Sequence, residues 1–284
     1  MPRTSDTDIS SPAYRWIFFV LTYTLSWLFW IPAALSGKDP LASAWVVPFM
    51  LGGFGPSVAA IILTYRSEGK EGRRAFWNRV VSFKRISVGW YLFIALIFPA
   101  LFGLSFLIDR ARGYPPPSFP TLTMIRENPI ALVGLIILGI LTGPLSEELG
   151  WRGFALDRWQ ADRSPASATL IIGLFWGLWH LPLFFIQGTT QYRWGFGSLR
   201  FWLFLTASFP LSGLFTWVYN HNRRSILSAI LLHFAYNFTL NLIYPFPARV
   251  FVYETVLLFV TAVGLMLILG RSKPDQKPGQ DQVP

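Results

Sequence analysis

Apolar residues gather in windows of about 20 along the whole chain, the length that crosses a bilayer core as an α-helix. Such a helix satisfies its own backbone hydrogen bonds, which lipid cannot do. Eight windows stand out, at residues 16–36, 44–65, 88–108, 130 to about 153, about 167–187, 201–220, 226–243 and 250–269. Only 13% of the 284 residues are charged and 53% are hydrophobic, against about 25% charge in an ordinary soluble domain. The expected fold is an all-α polytopic transmembrane bundle of about eight spans. The transmembrane domain is expected over 16–270, with a short segment at 1–15 and a disordered proline-rich tail at 271–284. Pro48, Pro56, Pro99, Pro144, Pro182 and Pro210 fall inside or beside spans, where neighbouring groups must take up the freed carbonyls.

Charge sets the orientation. The segment 66–87 carries Arg66, Lys70, Arg73, Arg74, Arg79, Lys84 and Arg85. Placing it in the cytoplasm and alternating sides leaves the opposite segments with Lys38, Arg110, Arg112, Arg126, Arg193, Arg200 and Arg249. The bias puts both termini in the cytoplasm. It also accounts for the net charge of +10 without nucleic-acid binding, which needs more than a spread of charge. Membrane lipids are the expected surroundings, and Trp16, Trp90 and Tyr91 fit interface anchors. The segment 112–129, with Pro115, Pro116 and Pro117, reads as a stiff outer loop. The N-terminal residues do not have the pattern of a removed signal peptide. With no cysteine, thiolate nucleophiles, disulfides and cysteine metal sites are excluded.

Few ionisable residues fall inside the spans: Glu147, Glu148, Arg152, His180, His233 and Glu254. Burying each is costly, so each should face the bundle interior, a partner or water. Glu148 and Arg152 are four apart and pair on one helix face, while Glu147 points about 100° away. His233 and Asn237 are also four apart, with Asn241 continuing their stripe. Trp176 lies one turn before His180 and can simply pack. Glu254 reads as interfacial at the outer start of the last span, and His221 as an ordinary loop residue.

Taken together, a carboxylate, two imidazoles and a carboxamide on three helices suit hydrolysis. The carboxylate takes a proton from water, and the others orient it or donate to an oxyanion. The same residues leave a second chemistry open: Glu147, His180 and His233 as three ligands of Zn²⁺ with one open position. HExxH and GxSxG are both absent. An ion or proton pathway fits the intramembrane charges as well, although no internal repeat is visible. Counting about 1.5 Å per residue places Glu147 and His233 about 10 Å from the cytoplasmic ends of their spans and His180 deeper, at about 20 Å, where it meets them only if its helix starts in the cytoplasm or tilts; a cavity opening inward is expected.

These motifs, in this order, resemble the CPBP intramembrane protease family, also called the CAAX prenyl protease type II or Abi family. Its EExxxR motif is matched by Glu147, Glu148 and Arg152, and Gly153 fits the form that follows. Its FxxxH motif is matched by Trp176 and His180, with Trp in place of Phe. Its histidine and asparagine one turn apart are matched by His233 and Asn237, so the resemblance covers residues 130–243. It implies an intramembrane endopeptidase. Glu147 would be the general base, His180 would help position water, and His233 and Asn237 would hold the oxyanion. Glu148, Arg152 and Trp176 would be structural support. It implies hydrophobic, toxin-like or prenylated peptides as substrates, in a bacterial or archaeal plasma membrane. It also admits members that act as binding, immunity or scaffold proteins, and it leaves open whether a divalent metal takes part.

Overall fold

The computed structural model describes residues 12–269, an all-helical membrane protein. The expected tail at 271–284 lies outside the described residues, as do the first eleven. The helices are α1 (Pro12–Leu35), α2 (Val46–Gly53), α3 (Gly55–Ser67), α4 (Lys70–Val81), α5 (Val88–Ala111), α6 (Pro120–Glu127) and α7 (Ile130–Ile140). Then follow α8 (Ser146–Gly150), α9 (Asp157–Trp159), α10 (Pro165–Trp179), α11 (Thr190–Trp194), α12 (Leu199–His221), α13 (Ile226–Ile243) and α14 (Ala248–Leu269). Among the described residues, seven helical stretches are long and apolar enough to cross a membrane, or eight if the bent pair α2 and α3 counts as one span.

That pair bends by 51° at Phe54, inside the run Gly52-Gly53-Phe54-Gly55-Pro56. Glycines lower helix propensity and Pro56 suits only the first turn of a new helix, so the apolar window breaks here. The fourth span runs further than the sequence indicates, from Ile130 to Trp159 over 30 residues. Two segments expected to be loops are partly helical. The basic segment contains α4, and the proline-rich outer segment gives way to α6.

The bundle is sorted by polarity in the sense that lipid demands. On α1 the buried side carries Thr22 and Ser26 beside Phe18, Phe19 and Trp30, while Val20, Leu28 and Ile31 face outward. Apolar side chains gain nothing by leaving lipid, so small and hydrogen-bonding residues hold the helices together. Trp179 donates from Nε1 to Ser26 Oγ at 2.8 Å, Trp27 to the Trp179 carbonyl at 3.0 Å, and the Tyr23 hydroxyl to the Phe175 carbonyl at 2.6 Å. α10 packs along α12, α12 along α14, and α5 against α13 and α14, with α1 and α3 closing the other side.

At the centre, every residue from Ser146 to Leu156 is buried. α3 comes close to α8 because Gly150 has no Cβ. A methyl group there would meet the Pro56 carbonyl oxygen at 2.5 Å. Glu254 is not interfacial as its sequence position suggests. It is fully buried, and neither carboxylate oxygen has a hydrogen-bond partner among the described residues. It lies nearly two turns into α14, a helix that packs against α5 and α12.

Candidate active site

The site begins at a break in the fourth span. Thr142 (φ −96°, ψ 103°) and Gly143 (φ 104°, ψ −82°) leave helical geometry between α7 and α8. The run Thr142-Gly143-Pro144 explains why: only glycine adopts this positive φ at no steric cost, and Pro144 supplies no N–H to continue a ladder. The broken backbone is satisfied locally. Thr142 Oγ1 donates to the Leu138 carbonyl at 2.7 Å, the Gly143 N–H donates to Ser146 Oγ at 2.9 Å, and Ser57 Oγ donates to the Leu145 carbonyl at 2.9 Å. The helix restarts at Ser146 and carries Glu147 and Glu148 in its first turn.

Glu148 is the hub of a buried charge network. Arg152 donates from one nitrogen to both its oxygens, at 2.9 and 3.1 Å, and neither side chain is exposed. The guanidinium also lies over the rings of Phe215 (4.3 Å) and Trp176 (4.7 Å), which take up its faces. The sequence-level pairing of Glu148 with Arg152 is thus present, but Glu148 has a second partner. His233 Nδ1 lies 2.7 Å from Glu148 Oε1. A carboxylate only accepts, so Nδ1 carries the proton and Nε2 faces the other way. Glu148 is therefore joined to the candidate reaction chemistry as well as to helix shape.

Glu147 points elsewhere, as the helix geometry requires. Trp176 donates from its indole nitrogen to Glu147 Oε2 at 2.6 Å. Trp176 does more than pack, therefore, and the Trp in place of Phe is the sequence signal for that added donor. The other Glu147 oxygen converges with two further groups on one point. A Cβ on Gly143 would lie 2.9 Å from Asn237 Nδ2, 3.5 Å from His233 Nε2 and 3.6 Å from Glu147 Oε1. With no side chain, Gly143 lets the three groups approach its backbone, a role the sequence motifs alone do not reveal. Its signal was the Gly-Pro pair placed directly before two intramembrane acids.

His180 lies on the same cavity but is held differently. It closes α10, and its Nδ1 donates to the Trp176 carbonyl at 2.7 Å. A neutral imidazole in that tautomer presents Nε2 as an acceptor. The ring packs against Trp179 (4.7 Å) and Phe204 (5.1 Å). No direct hydrogen bond joins it to Glu147 among the described residues. Asn241 turns back to donate to the Asn237 carbonyl at 2.9 Å.

The three candidate metal ligands do not form a metal-holding group. Among the described residues no cluster of three His, Cys, Asp or Glu side chains has that geometry. The donor set gives the reason: one Glu147 oxygen is occupied by the Trp176 N–H, and a carboxamide rather than His180 shares the point where Glu147 and His233 meet.

These residues line a cavity of about 360 Å³ whose walls are mostly apolar. From Glu147 it runs past His180, Leu240 and Asn241 to Thr190, Gln191 and Tyr244. Those last residues stand at the end of the bundle opposite α4.

A sequence profile described as type II CAAX prenyl endopeptidase Rce1-like matches residues 129–239, the stretch that carries all the groups above. The chain is also 29% identical over 253 residues to a protein of Methanococcus maripaludis named CAAX prenyl protease 2. That similarity covers 88% of this chain and 92% of the archaeal protein.

Proposed function

The chain belongs to the Rce1-like family of CAAX-type intramembrane proteases, and on that premise we propose that it hydrolyses a peptide bond in a hydrophobic or lipidated peptide within the membrane. The observation that carries this reading is the gathering of Glu147 Oε1, His233 Nε2 and Asn237 Nδ2 around Gly143 on the wall of a mostly apolar cavity.

In the proposed reaction a water molecule in the cavity donates a hydrogen bond to His180 Nε2 and its second proton to Glu147. The hydroxide formed attacks the scissile carbonyl carbon. The carbonyl oxygen becomes an oxyanion, held by the Asn237 amide and by His233 Nε2. For Nε2 to donate while Nδ1 is already bonded to Glu148, His233 must carry both protons, and the Glu148 carboxylate is its counter-ion. The tetrahedral intermediate collapses, the C–N bond breaks, and Glu147 passes its proton to the leaving amine. Trp176 fixes the rotamer of Glu147, and Arg152 balances the charge of Glu148. No step passes through a metal.

Substrates of this class include hydrophobic, toxin-like and prenylated peptides. The test is mass spectrometry of a mixed library of such peptides incubated with purified wild-type and Glu147→Gln protein in proteoliposomes. The expected loss of cleavage in the variant is about 10²–10⁴-fold, the usual worth of a positioned base, with an unchanged melting temperature. Equal cleavage by the two proteins would sink the assignment of Glu147.

A further inference from the structure

The helix that carries His233 and Asn237 has a second lined face. His233, Asn237 and Leu240 border the cavity, while Phe234, Ala235 and Phe238 border a separate groove on the other side of α13. That groove has a volume of about 600 Å³. Its facing wall is α5, where Ala95, Pro99 and Gly103 recur every four residues and so fall on one side of the helix. Such small residues leave the space unfilled. A Cβ added at Gly103 would meet nothing within 4 Å.

The lining selects hydrocarbon. Tyr91 and Thr239 bring hydroxyls to the groove, and both are engaged inside the protein. Tyr91 donates to the Phe83 carbonyl at 3.2 Å and Thr239 to the Ala235 carbonyl at 2.7 Å. Apart from Gly103, the other lining residues carry hydrocarbon side chains: Ile, Leu, Phe, Ala and Pro. On α5 the groove runs from Tyr91 to Phe106, about 22 Å at 1.5 Å per residue. Half of a bilayer's hydrocarbon core is about 15 Å, so the groove is as long as one lipid chain is deep. Both α5 and α13 are spans, and they pack against each other. A slot between packed helices does not admit a further helix, which is about 10–12 Å across with its side chains.

The two ends of the groove differ in charge. At one end the rings of Phe106 and Phe119 meet edge to face at 5.5 Å. At the other, the bond from Tyr91 to the Phe83 carbonyl sets the groove beside Lys84 and Arg85. Arg223, in the turn between α12 and α13, donates to the Lys84 carbonyl, and Arg85 donates to the Arg223 carbonyl at 2.6 Å. These backbone bonds bring three cations from distant segments to one end of an apolar slot, with Lys84 and Arg223 exposed. Basic clusters beside transmembrane helices bind anionic lipid headgroups.

We propose that the groove between α5 and α13 binds an anionic phospholipid, with one acyl chain in the slot and the phosphate among Lys84, Arg85 and Arg223. The slot accepts hydrocarbon, and the cations accept an anion joined to it. The proposal does not rest on the peptidase reading. The two sites nevertheless share α13 as a wall. Phe234 packs on Gly139 of α7, where a Cβ would lie 3.2 Å from its ring, and Gly139 also lines the cavity. A chain in the groove therefore backs the helix that presents His233 and Asn237.

The test is native mass spectrometry of the full-length protein in neutral detergent, titrated with phosphatidylglycerol or with phosphatidylcholine of the same acyl chains. The expected result is a preference for phosphatidylglycerol of about 10-fold or more. Lys84→Gln combined with Arg223→Gln should bring the two lipids to equal occupancy, and Arg223→Lys, which keeps the charge, should retain the preference. Gly103→Leu fills the slot and should abolish binding of both lipids, with an unchanged melting temperature because the added side chain enters open space. Equal occupancy in the wild type would overturn the headgroup site. A preference for phosphatidylglycerol that survives Gly103→Leu would place the lipid elsewhere and overturn the slot. Displacement of phosphatidylglycerol by a prenylated peptide would make the groove a substrate subsite, and a lipid-free dimer abolished by Gly103→Leu would make it a contact between copies. Either would overturn the proposal. No readout depends on catalysis, so a failed cleavage assay would count against the peptidase reading and leave this result standing.

Discussion

The two ends of this bundle are built from different materials. At the basic end, side chains from distant parts of the chain are tied across one another. Arg79 reaches Asp157, Tyr219 and Gly153, Arg158 meets Glu68 at 2.8 Å, and Arg15 meets Asp162 at 2.7 Å. The Arg15 hydrogen bond holds the exposed Asp162 carboxyl below the usual carboxylate range. At the open end, short helices and turns stand around a cavity, and the ion pair there, Arg249 with Asp109 at 2.7 Å, sits to one side of the mouth. Ion pairs between distant segments are thus concentrated at the basic end, and the cavity-lining residues Thr190, Gln191 and Tyr244 stand at the other. The site lies at the seam. Glu148 faces the packed side through Arg152 and the cavity through His233.

The comparison can be broken most severely at that seam. Glu148→Gln removes the counter-ion of both Arg152 and His233. The expected loss of stability is about 3–5 kcal/mol, from a buried cation left unpaired. Turnover is expected to fall about 10²-fold as the oxyanion loses a charged donor. Thermal unfolding in detergent and cleavage rates on the folded fraction would separate the two. A loss of stability with normal turnover would remove Glu148 from the chemistry.

A change confined to the basic end should touch stability alone. Asp157→Asn weakens the bonds from Arg79, Tyr219 and Arg224 in a partly buried cluster, at a cost of about 2 kcal/mol. kcat and KM measured below the lowered melting temperature should match wild type. A changed kcat would mean that the basic end communicates with the site.

The smallest effect is expected at the mouth. Gln191→Ala should leave the melting temperature alone, since substitutions of this kind away from packed features usually stay within about 0.5 kcal/mol. It should raise KM a few-fold, the size of one neutral hydrogen bond, about 0.5–1.5 kcal/mol. A drop in kcat at constant KM would place Gln191 in the reaction rather than in recognition.

The sequence displays the spans because lipid leaves so little freedom: apolar length and helical backbone are enough to reveal them. The pairing of Glu148 with Arg152 and the divergence of Glu147 follow from 3.6 residues per turn alone. What stayed hidden needed contacts between helices. The bond from Trp176 to Glu147, the bond from His233 to Glu148 and the burial of Glu254 depend on which faces of α8, α10, α13 and α14 turn toward each other. No periodicity records that choice. The break at Gly143 sits between the two cases. Its Gly-Pro pair was visible, but the convergence of three side chains on the missing Cβ belongs to the assembled bundle.

The fully buried Arg152 also has a consequence for how the protein is made. A lone arginine at the centre of an inserting helix costs about 2.5–3.5 kcal/mol at the translocon. Arg152 is four residues from Glu148 on the same strand of nascent chain, so the two can neutralise each other as soon as that helical turn forms. His233, their third member, emerges from the ribosome about eighty residues later. The charge pair can therefore enter the bilayer as a unit carried by one helix, and the rest of the site is assembled around a carboxylate already in place.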